Sequence, residues 1–330
     1  MVVGMNTRRH FLVALGGVLA FPRLALSQQS GRTYRLCWLS SGAQRTESYN
    51  VAFVERLREL GFAEGRNLVI EFRSAAGRHE RLSEMAADLA QQNCDVLIAP
   101  GPESNLVALK QASHNTPIVM LAADYDPVAT GHVASLARPG GRITGVTQLQ
   151  TELPLKRLEL MKELLPKVRR VAVLADTSTT DQLKVASAGA RHLGLELHVH
   201  EFKQAPYDYE GAFAQFARGK AEALLALASG FFVPARRKIP ELALKHRLPS
   251  MFNNYLWAET GGLLSYGPNF FHSYRRLAEM AGMILNGAKP TEIPVEQPTT
   301  FELVINLRTA RTLGIAIPSA FRARAERLIE

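Results

Sequence analysis

A chain of 330 residues, 47% hydrophobic and 21% charged, can bury a large core, and its length fits two lobes better than one. Its 39 Lys and Arg against 30 Asp and Glu give a formal charge of +9. These charges are scattered over amphipathic stretches with no nucleic-acid motif beside them, which argues against a nucleic-acid partner. No apolar stretch reaches the roughly 20 residues of a membrane-spanning helix.

The chain opens on an address. Thr7-Arg8-Arg9-His10-Phe11-Leu12 has the form of a twin-arginine export signal, and an apolar stretch from Phe11 to Phe21 follows. Small residues at Ala25 and Ser27 suit cleavage near Ser27, so residues 1–27 read as a leader and the mature chain as periplasmic. An ordinary Sec leader with two chance arginines is the alternative, and it leads to the same compartment. Losing Arg8, Arg9 and Arg23 with no acid lowers the formal charge to +6.

From Tyr34 short apolar runs alternate with helical spacing. YRLCWLS, RNLVIEFR, CDVLIAP and TPIVMLA read as strands. ESYNVAFVERLRELG, RHERLSEMAADLAQQ and ESNLVALKQAS between them read as helices. This is βαβ repetition with strands apolar on both faces, the mark of a covered parallel sheet. After ASLARPGGRITGV the pattern begins again: RRVAVLADTS, LELHVHEF, AEALLALAS and HRLPSMFNN as strands, TDQLKVASAGARHLG and YEGAFAQFARG as helices. Gly61 and Gly194 stand 133 apart, Pro117 and Pro249 132 apart. The expected fold is therefore α/β: two Rossmann-like lobes with parallel sheets, joined by a hinge. Lobe 1 is expected over residues 32–142 with about 269–290 returning to it, and lobe 2 over 143–268. The Pro139-Gly140-Gly141 segment reads as the first crossing and Gly267-Pro268 as the second. The strand and helix in 291–330 carry no lobe assignment.

Open parallel sheets bind ligands beyond the carboxyl ends of their strands. The loops there nominate Ser40, Ser41, Gly101, Glu103, Ser104, Asp124, Tyr125, Asp126, Asp176, Thr177, Ser178, Ser229, Phe231, Asn253 and Tyr255 as ligand-binding. Ser104, the Thr177-Ser178-Thr179 run and Ser229 each precede a helix, where they can cap it, hold an anion, or do both. Asp124, Asp126, Glu103 and Asp176 would give one mouth negative charge for a ligand amine. Asp126 precedes Pro127 and so can cap a helix of its own, whereas Asp124 has no such local use. Tyr125, Phe231, Phe232, Tyr255 and Trp257 offer aromatic faces, with core packing as the alternative for the two phenylalanines.

No G-x-S-x-G, Walker A, G-x-G-x-x-G or H-E-x-x-H pattern is present, so the chain reads as no enzyme, with no cofactor and no metal. His198 and His200 share a strand face without a third ligand in view. Cys37 and Cys94, read as lying within adjacent buried strands, are expected as two buried thiols.

The stretches RRHFLVALGG, LRELGFAEGRNLVIEFRSAAGRHERLSEMAADL, DPVATGHVASLARPGGRITGV, KRLELMKELLPKVRRVAVLAD, GGLLSYG and QPTTFELVINLRTARTLGIAIP together resemble the bacterial ABC transporter substrate-binding proteins of the group with tryptophan- and tyrosine-binding members. The resemblance implies a periplasmic-binding-protein-like type I fold that closes on a small polar or amphipathic solute. An amino acid, an aromatic one included, is the example the better-understood members supply. It also implies an inner-membrane ABC permease as partner and no chemistry on the solute; a monomer is expected. Three cleft loops depart from the family pattern. Pro100-Gly101-Pro102-Glu103 stands for a Thr-Gly-Gly-like turn, Ala122-Ala123-Asp124-Tyr125 for small hydroxyl residues and glycine, and Ser229-Gly230 for an acidic residue before Phe-Phe. A two-lobed extracytoplasmic enzyme such as a transferase, or a sensor subunit with the same fold, is the alternative. A sugar-repressor-like regulator would need a helix-turn-helix ahead of Tyr34, where only the leader stands.

Overall fold

The computed structural model describes residues 31–330, so the leader and its cleavage near Ser27 lie outside the described residues. Strand and helix alternate from the start: β1 (Tyr34–Ser40), α1 (Ser48–Glu59), β2 (Leu68–Ser74), α2 (Leu82–Ala90), β3 (Val96–Gly101), α3 (Glu103–Ala112), β4 (Ile118–Ala122) and β5 (Ile143–Thr147). All five strands are parallel, in the order β2-β1-β3-β4-β5. Successive side chains of β1 point to opposite faces. Leu36 and Trp38 pack with α1, and Cys37 and Leu39 with α2 and α3, which is why the run is apolar without alternation.

The chain then repeats the plan with α4 (Pro154–Leu164), β6 (Arg170–Asp176), α5 (Thr180–His192), β7 (Glu196–Phe202), α6 (Tyr209–Arg218), β8 (Ala223–Ala226), α7 (Lys238–Lys245), β9 (Ser250–Phe252), α8 (Tyr255–Glu259) and β10 (Leu264–Pro268). Its parallel strands run β7-β6-β8-β9-β10, the same winding as the first sheet. The matched spacings fall on matched jobs. Gly61 and Gly194 follow the ends of α1 and α5 with φ of +96° and +63°, a left-handed turn that glycine adopts at little cost. The carbonyls of Pro117 and Pro249 each accept a 2.8 Å bond from the third strand of their sheet, at Leu97 and Leu224.

The boundaries of the lobes differ from the expected ones. Residues 143–147 do not open lobe 2: β5 pairs in parallel with β4 and completes the first sheet, so the Pro139-Gly140-Gly141 turn stays within lobe 1. The first crossing comes after β5, at residues 148–153. After β10 the chain returns as α9 (Phe270–Leu285), whose Tyr274, Leu277, Ala278 and Ala281 join the core of the first lobe. Residues 293–296 then run beside β5, where the Thr144 hydroxyl donates to the Ile293 carbonyl at 2.7 Å. A third crossing at 297–300 leads to β11 (Phe301–Asn306), α10 (Leu307–Leu313), α11 (Ser319–Arg322) and β12 (Arg327–Ile329). Strand β11 lies antiparallel beside β10 and β12 parallel beside β11, so the C-terminal segment extends the second sheet.

Cys37 and Cys94 are joined in a disulfide, with Cα atoms 5.8 Å apart, against the expectation of two thiols. The physical reason is position. Strand β3 begins at Val96, so Cys94 sits in the turn ahead of it and is free to aim its side chain at β1, which a ladder residue is not. The bond closes a separation of 57 residues. Chain-entropy arithmetic for such a loop gives up to about 4 kcal/mol. The paired Cys37→Ala, Cys94→Ala variant is expected to lose about 2 to 4 kcal/mol in urea unfolding; a midpoint equal to that of the oxidised protein would show the link to be thermodynamically idle.

Candidate functional site

The carboxyl edges of the two sheets face one another across a cavity. Ser40, Ser41 and Ala43 reach it from the turn after β1, Pro100 and Gly101 from the end of β3, and Leu121 and Ala123 from β4 and its end. The other lobe contributes Ala228, Ser229 and Gly230 after β8, and Asn253 and Asn254 after β9. Tyr49, Val233, Leu256, Trp257, Phe270 and Tyr274 form an apolar wall. Gln148 and Gln150 enter from the first crossing, and Arg236 from the segment before α7. A mostly apolar hollow with a few directed polar groups suits a small amphipathic molecule.

The residues nominated from sequence divide. Ser40, Ser41, Gly101, Ser229 and Asn253 line the cavity. Glu103, Ser104, Asp124, Tyr125, Thr177 and Ser178 line a second depression between the lobes, together with His79 and Asp181. Asp126, Asp176, Phe231 and Tyr255 belong to the lining of neither. The four acids expected at one mouth thus stand outside the cavity lining.

Each has another occupation. Asp124 does have a local use: its Oδ1 accepts the Glu103 N–H at 2.9 Å, capping α3 from the neighbouring loop because Pro102 at the cap position offers no side-chain acceptor. Asp126 is exposed and accepts from Val128 N–H at 2.8 Å, fixing a turn where a helix begun by Pro127 was expected. Asp176 is 1% exposed and fully engaged, accepting from Ser178 N–H (3.0 Å), the Ser178 hydroxyl (2.7 Å), the Ser229 hydroxyl (2.5 Å) and the Tyr207 hydroxyl (3.3 Å). Glu103 pairs with His132 at 2.7 Å. Tyr255 packs on Phe271 and lies under the Arg327 guanidinium. On the strand face, His198 pairs with Glu196 and His200 with Gln215.

The lobes touch across the cleft. The His79 ring stacks on Phe231 of the other lobe, and its Nε2 lies 2.9 Å from the Tyr207 hydroxyl. Arg236 pairs with Glu47 at 2.6 Å. Gly42 of lobe 1 lies so close to Gly230 of lobe 2 that a Cβ on Gly42 would collide with the Gly230 carbonyl oxygen.

Sequence reasoning missed the residues that matter most to the cavity's polarity. The Ser273 hydroxyl donates to the Asn269 carbonyl at 3.0 Å, so it accepts from Gln148 Nε2 at 2.7 Å and leaves Gln148 Oε1 free. Gln150 Oε1 accepts from Arg157, which leaves its NH₂ group free. Gln148 Oε1, Gln150 Nε2 and Arg236 Nε are buried without a hydrogen-bond partner among the described residues. Buried polar atoms are ordinarily satisfied, so unpaired ones around a hollow are available to a guest. Arg157 is 0% exposed, donates to the Tyr266 carbonyl at 2.8 Å, and burial drops its pKa to about 9.

The chain that forms these two like-wound sheets matches the model of the ABC transporter substrate binding protein family over residues 45–329. The chain belongs to this family. As a substrate-binding protein it acts outside the cytoplasm, with a small-molecule solute and a membrane permease as partners. It is similar to a tyrosine-binding protein of Clostridioides difficile, 26% identical over 272 residues, which are 81% of this chain and 77% of that protein. A conserved domain protein of Vibrio cholerae shares its structure with a TM-score of 0.81 at 25% identity, over 90% of this chain and 100% of the other. A Streptococcus domain solved in complex with L-Trp gives 0.76 at 21% identity, with the same coverage. The ligand-free, open structure of an adhesive substrate-binding protein from Clostridium difficile gives 0.59 at 21% identity, over 90% and 99%.

Burial pushes the Asp124 carboxyl up to about 8, with the Asp176 charge adding to the rise. An unfolded aspartate titrates near about 4, so between these values the folded chain holds a proton the unfolded one has lost. The stability this group supplies is therefore present at low pH and lost as pH rises toward about 8. Wild type is expected to lose unfolding free energy relative to Asp124→Asn between about pH 5 and about pH 8 in urea titrations. Parallel pH profiles would mean that the carboxyl is ionised in the fold.

Proposed function

We propose that this substrate-binding protein captures one amphipathic solute of the size and planarity of an aromatic amino acid in the interlobe cavity, closes over it and delivers it unchanged to its permease. The observation that carries the reading is the cavity itself: an aromatic wall of Tyr49, Trp257, Phe270 and Tyr274, with unpaired polar atoms of Gln148, Gln150 and Arg236. The tyrosine-binding relative and the L-Trp complex support the solute's size and shape. The twin arginines Arg8 and Arg9 support export in the folded state.

A micromolar solute supplies about 8 kcal/mol, enough to shift a hinge whose states differ by a few. Native mass spectrometry of protein purified from its own periplasm is expected to find one small aromatic molecule, released unchanged on unfolding. A turned-over product, or no bound molecule at any concentration, would oppose the reading. Gly42→Ala tests closure separately. Its Cβ would meet the Gly230 carbonyl oxygen across the cleft in the arrangement described here, and parting of the lobes would relieve the clash. The variant should fold normally, weaken solute binding about ten-fold or more, and keep the open-form radius of gyration in small-angle scattering when the periplasmic extract is added.

A further inference from the structure

The charge of the cavity points to a narrower class of solute. This inference rests on the cavity's being the solute site, as proposed above. Among the described residues Arg236 is the one charged side chain in the lining, and no aspartate or glutamate accompanies it there. Its guanidinium is half used: one terminal nitrogen pairs with Glu47 at 2.6 Å, while its Nε is buried and unpaired. Gln150, 1% exposed, adds a second unpaired donor, its orientation fixed by Arg157 behind it. The acids around it are already engaged: Glu47, the nearest, with Arg236 itself, and the next two within their own lobes. Asp176 accepts four hydrogen bonds from Ser178, Ser229 and Tyr207, and Asp124 caps α3 in the other depression.

We infer that the solute is an aromatic carboxylate that carries no ammonium group, held by Arg236 Nε–H and the Gln150 amide, rather than a zwitterionic amino acid. An ammonium shut into this cavity would lose its water, share the space with a guanidinium and find near it only the Glu47 carboxylate, which Arg236 already holds, so its desolvation would go largely uncompensated. A carboxylate meets two donors that otherwise stay unsatisfied. Gln148 Oε1, 0% exposed and unpaired, asks in addition for one donor on the solute, which a phenol hydroxyl or an indole N–H supplies.

Calorimetric titration of the mature chain with matched pairs tests this: tyrosine against para-hydroxyphenylpropanoate, tryptophan against indolepropanoate, and tyramine as the amine without the acid. The deaminated acids are expected to bind at least about ten-fold more tightly than the amino acids, and tyramine not to bind. Arg236→Gln should erase most of that preference. Glu47→Gln, which breaks the same interlobe ion pair but keeps the guanidinium, should preserve it, and this separates recognition from bridging. Amino acids binding as tightly as the acids, or tyramine binding by cation–π contact with the rings, would overturn the inference and leave the solute-receptor reading standing. Silence of every compound up to about millimolar concentration would overturn the inference and the aromatic part of that reading together, whatever solute the periplasmic protein carries.

Discussion

When two parallel sheets meet carboxyl edge to carboxyl edge, every loop at the meeting loses water at once, and each polar group there must find a partner or remain unpaired at a cost. Much of the local structure follows from that constraint. Asp124 turns to the Glu103 N–H, Asp176 gathers donors from its own lobe, and Arg157 reaches the Tyr266 carbonyl. These bonds are spent on the protein itself. Around the hollow, Gln148 Oε1, Gln150 Nε2 and Arg236 Nε remain unspent. Which polar groups stay free beside the hollow is thus a matter of hydrogen-bond accounting, not of residue type.

The same accounting joins the cavity to the hinge. Arg157 on α4 bonds to Gln150 in the first crossing and to Tyr266 on the strand that leads into the second. Gln148, also in the first crossing, bonds to Ser273 on the helix that follows the second. Two of the three crossings are therefore tied together by the backs of the same amides whose fronts face the hollow. A solute that engages those fronts acts on the joint about which the lobes turn, with no intervening relay.

The winding was legible because it depends on local signals. Apolar runs set the strands, and Gly61, Gly194, Pro117 and Pro249 mark equivalent corners of the two sheets. Loops after strands could be named as well, and Ser40, Ser41, Gly101, Ser229 and Asn253 do line the hollow. What could not be read is long-range. Tyr49 enters on a helix flank, Phe270 and Tyr274 return from the far end of the chain on α9, and Arg236 sits where spacing alone suggests a solvated face. Asp124 seemed idle because its partner, Glu103, lies 21 residues away. The lobe boundary slipped at β5 because a Pro-Gly-Gly turn looks the same whether the chain crosses or merely doubles back. Cys94 slipped because one turn residue ahead of a strand has freedom that a strand residue lacks.

The chain's two tryptophans occupy opposite circumstances. Trp38 is sealed among Phe53, Phe72 and Tyr274 in the first core, whereas Trp257, stacked on Phe252, forms part of the wall of the hollow. Under the proposed function the molecule thus carries its own optical gauge: Trp257 stands in the wall a solute would touch, and Trp38 one ring behind that wall, stacked on Tyr274.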